Sequence, residues 1–179
     1  MNIATFLKIH PLDNDKPVRE VKLHPKVKAN SQLASFLSQA AKNSFSNGFF
    51  RTIDCDALND IRSIWKWYND DVIIFLRTAF GGLFYQRKAD FFFYDPLYGD
   101  RVNLANDLEF ILNVFLCDER SLSSTFLFPL YNAAINHTGV PAEDECLGFF
   151  PALKLGGEKK IENLNIVKLE EHLYFLSQL

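Results

Sequence analysis

The chain has 179 residues, of which 48% are hydrophobic and 23% charged, so it is long enough to bury a core in one domain. Eighteen phenylalanines exclude a disordered chain, because disordered segments lack such residues. No apolar run approaches the roughly 18 residues of a membrane helix, and the first ten residues lack the features of a signal peptide, so we expect no membrane partner.

The net charge of −3 hides an asymmetry along the chain. Residues 1–47 carry seven basic and three acidic side chains, a net of +4, whereas residues 48–179 carry twelve and nineteen, a net of −7. An acidic body disfavours nucleic acid and favours basic partners. The alternative is an acidic surface that only keeps the protein soluble.

The N-terminal segment predicts one strand and one helix. Residues 17–23 alternate apolar and charged side chains, as a strand does. Residues 27–42 repeat apolar side chains at helical spacing, and Asn30 or Ser31 can cap this helix. A turn at residues 44–48 and a short strand follow.

The next segment predicts a second helix, capped by Asp56 and running to about Tyr68. Trp65 and Trp67 would lie on different faces of this helix, so at most one would be fully buried. An exposed tryptophan would be typical of an interface anchor, and we therefore mark Trp67 as a candidate partner-binding residue. The alternative is that a loop covers it.

The middle of the chain predicts an antiparallel meander of four strands. Residues 72–76 are continuously apolar, which is typical of a central strand covered on both faces. Three shorter strands are predicted near residues 83–86, 91–94 and 102–104.

The last third predicts mainly helices. One helix begins at Asn106 or Asp107, a second spans residues 121–136 with a possible kink at Pro129, and a third closes the chain at residues 169–179. Strands that are segregated from helices indicate the α+β class, with an antiparallel β-meander sheet and helices packed on one side.

No pattern of catalytic or metal-binding residues is present. The four histidines lack metal-ligand spacing, and the chain has neither a nucleophile elbow nor a phosphate-binding loop. The cysteines Cys55, Cys117 and Cys146 form no Cys-x-x-Cys pair, so we expect reduced thiols and a cytoplasmic protein. We therefore expect no enzyme, cofactor or metal site.

The candidate contacts are acidic. The densest cluster is Glu143, Asp144 and Glu145, with Asp70 and Asp71 as a second pair. Loops present such groups to partners, although solvated carboxylates are the ordinary alternative. Two aromatic and glycine-rich elements are candidate structural motifs, and their residues are Phe80, Gly81, Gly82, Pro151, Gly156 and Gly157.

These elements resemble the C-terminal domain of type VI secretion immunity proteins of the GAD-like family. The resemblance covers roughly residues 44–179. Its most specific part is Phe-Pro-Ala-Leu-Lys-Leu-Gly-Gly at residues 150–157. Other matching segments are residues 45–51, 77–84, 94–96, 162–164 and 171–173.

The resemblance implies an antitoxin that binds a secreted toxin, and the family is paired with DNase toxins. It divides the chain into an abbreviated N-terminal portion, residues 1–47, and an immunity-type domain, residues 48–179. It carries over no catalytic residue. Two alternatives remain open: a cytoplasmic scaffold or regulator on the same fold, and an enzyme with a pocket between the two diglycine elements.

Overall fold

The computed structural model describes residues 1–13, 23–54 and 58–179, and its main element is a six-stranded antiparallel sheet. The strands follow chain order: β1 (Ser44–Phe45), β2 (Phe50–Thr52), β3 (Val72–Thr78), β4 (Leu83–Arg87), β5 (Asp90–Asp95) and β6 (Asp100–Ala105). A separate antiparallel pair consists of β7 (Glu145–Phe149) and β8 (Leu164–Lys168). The predicted meander is confirmed, with two more strands before it.

Six α-helices lie within the described ranges. They are α1 (Ala4–Ile9), α2 (Pro25–Lys28), α3 (Ser31–Ala40), α4 (Leu108–Asn113), α5 (Phe128–Thr138) and α6 (Leu169–Ser177). Apart from β7 and β8, strands and helices occupy separate parts of the chain, so the predicted α+β class is confirmed.

One face of the sheet packs against α1, α3, α4 and α5 in a core rich in phenylalanine. Phe36 of α3 meets Phe75 of β3 edge to face, with ring centroids 6.1 Å apart. The buried His10 joins this core, where its ring Nδ1 lies 2.9 Å from Ser46 Oγ and its Nε2 lies 2.8 Å from the Leu116 carbonyl oxygen. Both ring nitrogens are therefore satisfied, as burial requires.

The opposite face is covered by aromatic side chains and by α6. Trp65 and Trp67 are only 6% and 9% exposed, and their rings stack with centroids 5.3 Å apart. Trp67 also stacks on Tyr85 of β4 at 4.6 Å, and Leu169 and Leu173 of α6 complete this cluster. Burial on both faces explains why residues 72–76 of β3 are continuously apolar in sequence.

The helix predicted between Asp56 and Tyr68 is wrong in its described part, which contains a single 3₁₀ turn, Arg62–Ile64. Trp65 follows that turn with extended backbone angles. Residues 65–68 form a turn that the Tyr68 N–H closes by donating to the Trp65 carbonyl oxygen at 3.0 Å, and the two indole rings pack on Tyr94 of β5 and Tyr85 of β4. The expectation that at most one of them is buried is also wrong, because both are.

Two other helices differ from their predicted bounds. The segment at residues 27–42 forms the end of α2 and all of α3, and the Asn30 side chain caps α3 by accepting a backbone N–H at 2.8 Å. The helix predicted over residues 121–136 is interrupted at Leu127, whose φ of 57° is left-handed. Pro129 therefore stands in the first turn of α5, where it needs no N–H partner.

Two predictions concern residues that the structure does not describe. Almost all of the strand predicted at residues 17–23, and the capping role of Asp56, lie outside the described ranges. The domain boundary after residue 47 stays a prediction. Across that boundary, the described residues share one core, in which Phe36 packs with Phe75.

The diglycine at Gly156 and Gly157 closes a compact loop on Pro151. A Cβ atom on Gly157 would lie 1.9 Å from the Pro151 carbonyl oxygen, whereas a Cβ atom on Gly156 would meet nothing within 4 Å. Gly156 instead has a φ of 86°, in the left-handed region. Gly157 is thus required for space and Gly156 for its backbone angle.

We predict that Gly157→Ala lowers the free energy of unfolding by about 3 kcal/mol, because backbone must move away from the new methyl group. Gly156→Ala is the matched control and should cost about 1 kcal/mol, the strain of a left-handed alanine. Denaturant titration of both variants measures these values. Equal losses would contradict the assigned steric role of Gly157.

Candidate functional site

A cleft of about 830 Å³ lies between β2, the loop at residues 142–144 and the start of α6. Charged side chains of both signs dominate its lining. The basic ones are Lys42, Arg51, Arg77 and Lys168, and the acidic ones are Asp54, Glu143, Asp144, Glu170 and Glu171. Such a lining suits charged groups of a partner better than an apolar ligand.

Arg77 forms the buried side of the cleft. It is only 2% exposed, and its Nη2 donates to the carbonyl oxygens of Glu143 at 2.7 Å and Ala142 at 3.3 Å. Burial lowers the pKa of this guanidinium to about 10. Because a buried cation requires hydrogen-bond acceptors, Arg77 fixes the backbone of the acidic loop.

Arg51 of β2 holds the preceding part of the same loop. Its Nη2 donates to the Pro141 carbonyl oxygen at 2.7 Å. Arg51 and Arg77 lie opposite each other in the β2–β3 register, so two neighbouring strands supply the two contacts. The cleft is therefore anchored to the sheet on this side.

Two of the three carboxylates in the predicted acidic cluster form ion pairs within the protein. Lys168 Nζ lies 2.7 Å from Asp144 Oδ2 and 3.3 Å from Glu145 Oε1, because β7–β8 pairing places Lys168 opposite Glu145. The hydrogen bond from Lys168 lowers the pKa of Asp144, and the Ala142 N–H lowers that of Glu145. Glu143 is exposed and contributes its carbonyl oxygen, not its carboxylate, to Arg77.

Among the exposed side chains that line the cleft, five are acidic and two, Lys42 and Lys168, are basic. Glu143 comes from the loop, and Glu170 and Glu171 come from the first turn of α6; all three are exposed. Carboxylates in a first helical turn are stabilised by the helix dipole. We call these three residues the acidic mouth.

Sequence reasoning found Glu143 and Asp144 but missed the other residues that line the cleft. Two signals were available in the sequence. An arginine inside an apolar strand, as at Arg77, requires buried hydrogen-bond acceptors. An acidic pair at the start of a helix, as at Glu170 and Glu171, indicates a negatively charged surface at that end of the helix.

The other predicted contact residues lie elsewhere. Asp70 forms an ion pair with Arg62 at 2.5 Å, and its carbonyl oxygen accepts from Lys26 Nζ at 2.9 Å. Asp71 is exposed beside it, and Trp67 is buried against the sheet. The structure does not bring these residues to the cleft, so their role as contacts remains a prediction.

The two glycine-rich elements meet each other. The Leu147 N–H donates to the Ala79 carbonyl oxygen at 2.8 Å, and the rings of Phe80 and Phe149 stack at 5.8 Å. Gly82 allows Phe93 to approach, since a Cβ atom there would lie 2.7 Å from that ring. This contact ties the meander to the C-terminal strands.

Gly81 and His172 connect this junction to α6. A Cβ atom on Gly81, whose φ is 80°, would lie 3.3 Å from Leu173 of α6, and one on Gly148 would lie 2.7 Å from the His172 ring. His172 is 4% exposed, and burial lowers its pKa to about 4. The histidine is therefore neutral at physiological pH and acts in packing.

Within the described ranges, no group of three or more His, Cys, Asp or Glu side chains is placed to hold a metal ion. None of the described helices has both the length and the apolar character needed to cross a bilayer.

We predict that Arg77→Met lowers the free energy of unfolding by about 2–3 kcal/mol, because two loop carbonyls lose a charged donor. Hydrogen exchange should also accelerate at the Leu169 N–H, which donates to Asp144. Arg62→Met removes a surface ion pair with Asp70 and a cation–π contact with Tyr68, and should cost about 1 kcal/mol. A similar loss in both variants would contradict the assigned role of Arg77.

We predict that His172 makes stability depend on pH. Its pKa is about 4 when folded, against 6.5 for the free side chain, so the unfolded state gains a proton first as the pH falls. The stability of the parent relative to His172→Leu should therefore fall by up to about 3 kcal/mol between pH 7 and pH 4. Denaturant titrations across this range measure it, with His137→Leu as the exposed control.

Comparisons with known proteins agree with this architecture. Residues 110–179 match the model of the family described as T6SS immunity protein Tdi1, C-terminal. The fold resembles the crystal structure of Atu4351 from Agrobacterium tumefaciens, with a TM-score of 0.68 and 13% sequence identity over 99% of this chain and 89% of that chain. A search of curated proteins gives no match.

The family match contains β7, β8, α6 and every residue of the acidic mouth. The structural likeness, at 13% identity, concerns the fold alone. Together, the motifs in the sequence and the family match support a type VI secretion immunity protein.

Proposed function

We propose that this protein is a cytoplasmic antitoxin that neutralises a type VI secretion effector by binding it directly, without catalysis of its own. The observation that carries the proposal is the acidic mouth within the matched residues 110–179. A protein that neutralises its effector by direct binding needs an exposed surface that complements the charge of that effector, and the acidic mouth is such a surface.

We further propose that the effector is a basic nuclease, as in the DNase pairing of the GAD-like family. A nuclease must be positively charged around its active site to hold phosphates. Glu143, Glu170 and Glu171 present carboxylates that compete for the same cations. Residues 48–179, which include the acidic mouth, carry a net charge of −7. This charge attracts a basic partner.

The first test asks whether the protein binds and inhibits its effector. The candidate effectors are the proteins encoded by the genes directly beside the gene for this chain. Co-purification, followed by a DNA-cleavage assay of the effector with and without this protein, should give a complex and loss of cleavage. Absence of a complex, or full cleavage within it, would refute the antitoxin proposal. Inhibition of an effector that does not cleave DNA would refute only the nuclease assignment.

We predict that the triple variant Glu143→Lys, Glu170→Lys, Glu171→Lys slows association about tenfold at low salt, because charges near a contact act mainly on the association rate. Its dependence on salt should also weaken. The control reverses three other exposed acidic residues, Asp60, Glu119 and Glu162, and makes the same change in net charge. Stopped-flow or surface-binding kinetics at two salt concentrations measure both variants.

If both triple variants slow association equally, only the total charge matters and the acidic mouth is not the contact. If neither slows it, electrostatic steering plays no part. Asp70→Lys with Asp71→Lys tests the second predicted acidic pair in the same assay.

A further inference from the structure

The outer face of α6 carries exposed aromatic side chains beside polar and charged ones. Side chains at positions 169, 172, 173 and 176 are buried, whereas those at 171, 174, 175 and 178 share the opposite side and are exposed. Tyr174 is 53% and Phe175 is 41% exposed. The nine-residue helix therefore presents two aromatic rings to solvent.

A third ring extends this surface. Phe150, which is 47% exposed, lies at the end of β7, and its ring centroid is 6.2 Å from that of His172. The His172 ring is in turn 6.3 Å from Phe175. Phe150 and Phe175 thus flank one buried neutral histidine, and with Tyr174 they form what we call the aromatic face.

The aromatic face is continuous with the acidic mouth. Glu171 and Phe175 lie one turn apart on α6, about 6 Å along the helix axis. Glu171 lines the cleft, so a partner that covers Phe175 lies directly beside the carboxylates. Exposed aromatic side chains beside charged ones are typical of protein interfaces, in which aromatic anchors carry most of the binding energy.

We propose that the aromatic face is the docking surface for the effector, with apolar side chains of a basic effector segment packed on Phe150 and Phe175 while its cations meet the acidic mouth. This inference rests on the proposed function. Charge complementarity selects the occupant. A second copy of this chain would bring two acidic mouths to one interface, which like charges disfavour, whereas a basic partner matches both parts of the surface.

The aromatic face and the acidic mouth have different kinetic consequences. Desolvated aromatic anchors chiefly set the dissociation rate, whereas charges at the rim set the association rate. Loss of the aromatic face should therefore shorten the lifetime of the complex and leave its formation nearly unchanged. This separates the aromatic face from the acidic mouth in one experiment.

The test uses the full chain, its effector and two double variants. Phe150→Ser with Phe175→Ser removes two exposed rings of the aromatic face. Phe110→Ser with Val114→Ser is the matched control, because both residues are 50% exposed and form another exposed apolar pair one turn apart, on and just after α4. Thermal melts of both variants should stay within a few degrees of the parent, since none of these side chains is buried.

Surface-binding kinetics should show dissociation at least tenfold faster for the α6 variant and within twofold of the parent for the control. Hydrogen exchange of the parent should slow at residues 169–179 when the effector binds. If the effector binds the parent and both double variants equally, or if only the α4 control weakens, the docking assignment is overturned and the proposed function stands.

If the parent itself binds no effector, the proposed function fails. Sedimentation of the free protein tests the other possible occupant, a second copy of this chain. A dimer that Phe150→Ser with Phe175→Ser dissociates would assign the aromatic face to a second copy and overturn the inference.

Discussion

The position of the cleft depends on the burial of one cation. Arg77 lies within β3 and is almost fully shielded from water, so its guanidinium needs acceptors from the protein. It takes the carbonyl oxygens of Ala142 and Glu143, and the next carbonyl, that of Asp144, accepts the first N–H of α6 from Leu169. Arg77, a single residue of β3, therefore helps to position the loop, the cleft and the start of the closing helix.

The electrostatics of this surface depend on which charged side chains form ion pairs with each other. A count of charges along the sequence does not reveal those pairs. Glu143, Asp144 and Glu145 are adjacent in sequence, yet only Glu143 is outside the Lys168 pair. Lys168 reaches its partners because two strands far apart in sequence are in register. The free carboxylates instead gather from the loop and from Glu170 and Glu171, which makes a local acidic surface on a protein of modest net charge.

The sequence predicts elements well where one local pattern dominates. The apolar run of β3, the alternating hairpins and the closing helix agree with the structure, because each buries its side chains in the way its spacing implies. The prediction for Trp65 and Trp67 is wrong because a helix and a turn packed on a sheet can both bury the residues around them. Tertiary stacking on Tyr85 decided between the two, and no local rule contains that ring.

Under the proposed function, the closing helix would join two kinds of contact that an antitoxin needs. Neutralisation requires that the effector is captured before it acts and is then retained, so association must be fast and dissociation slow. Carboxylates at the first turn of α6 act at a distance on a basic partner, whereas Phe175, one turn further, acts only on contact. The buried side of the helix, held by Leu169 and Leu173, keeps these groups in fixed relation, so little ordering entropy is lost when a partner binds.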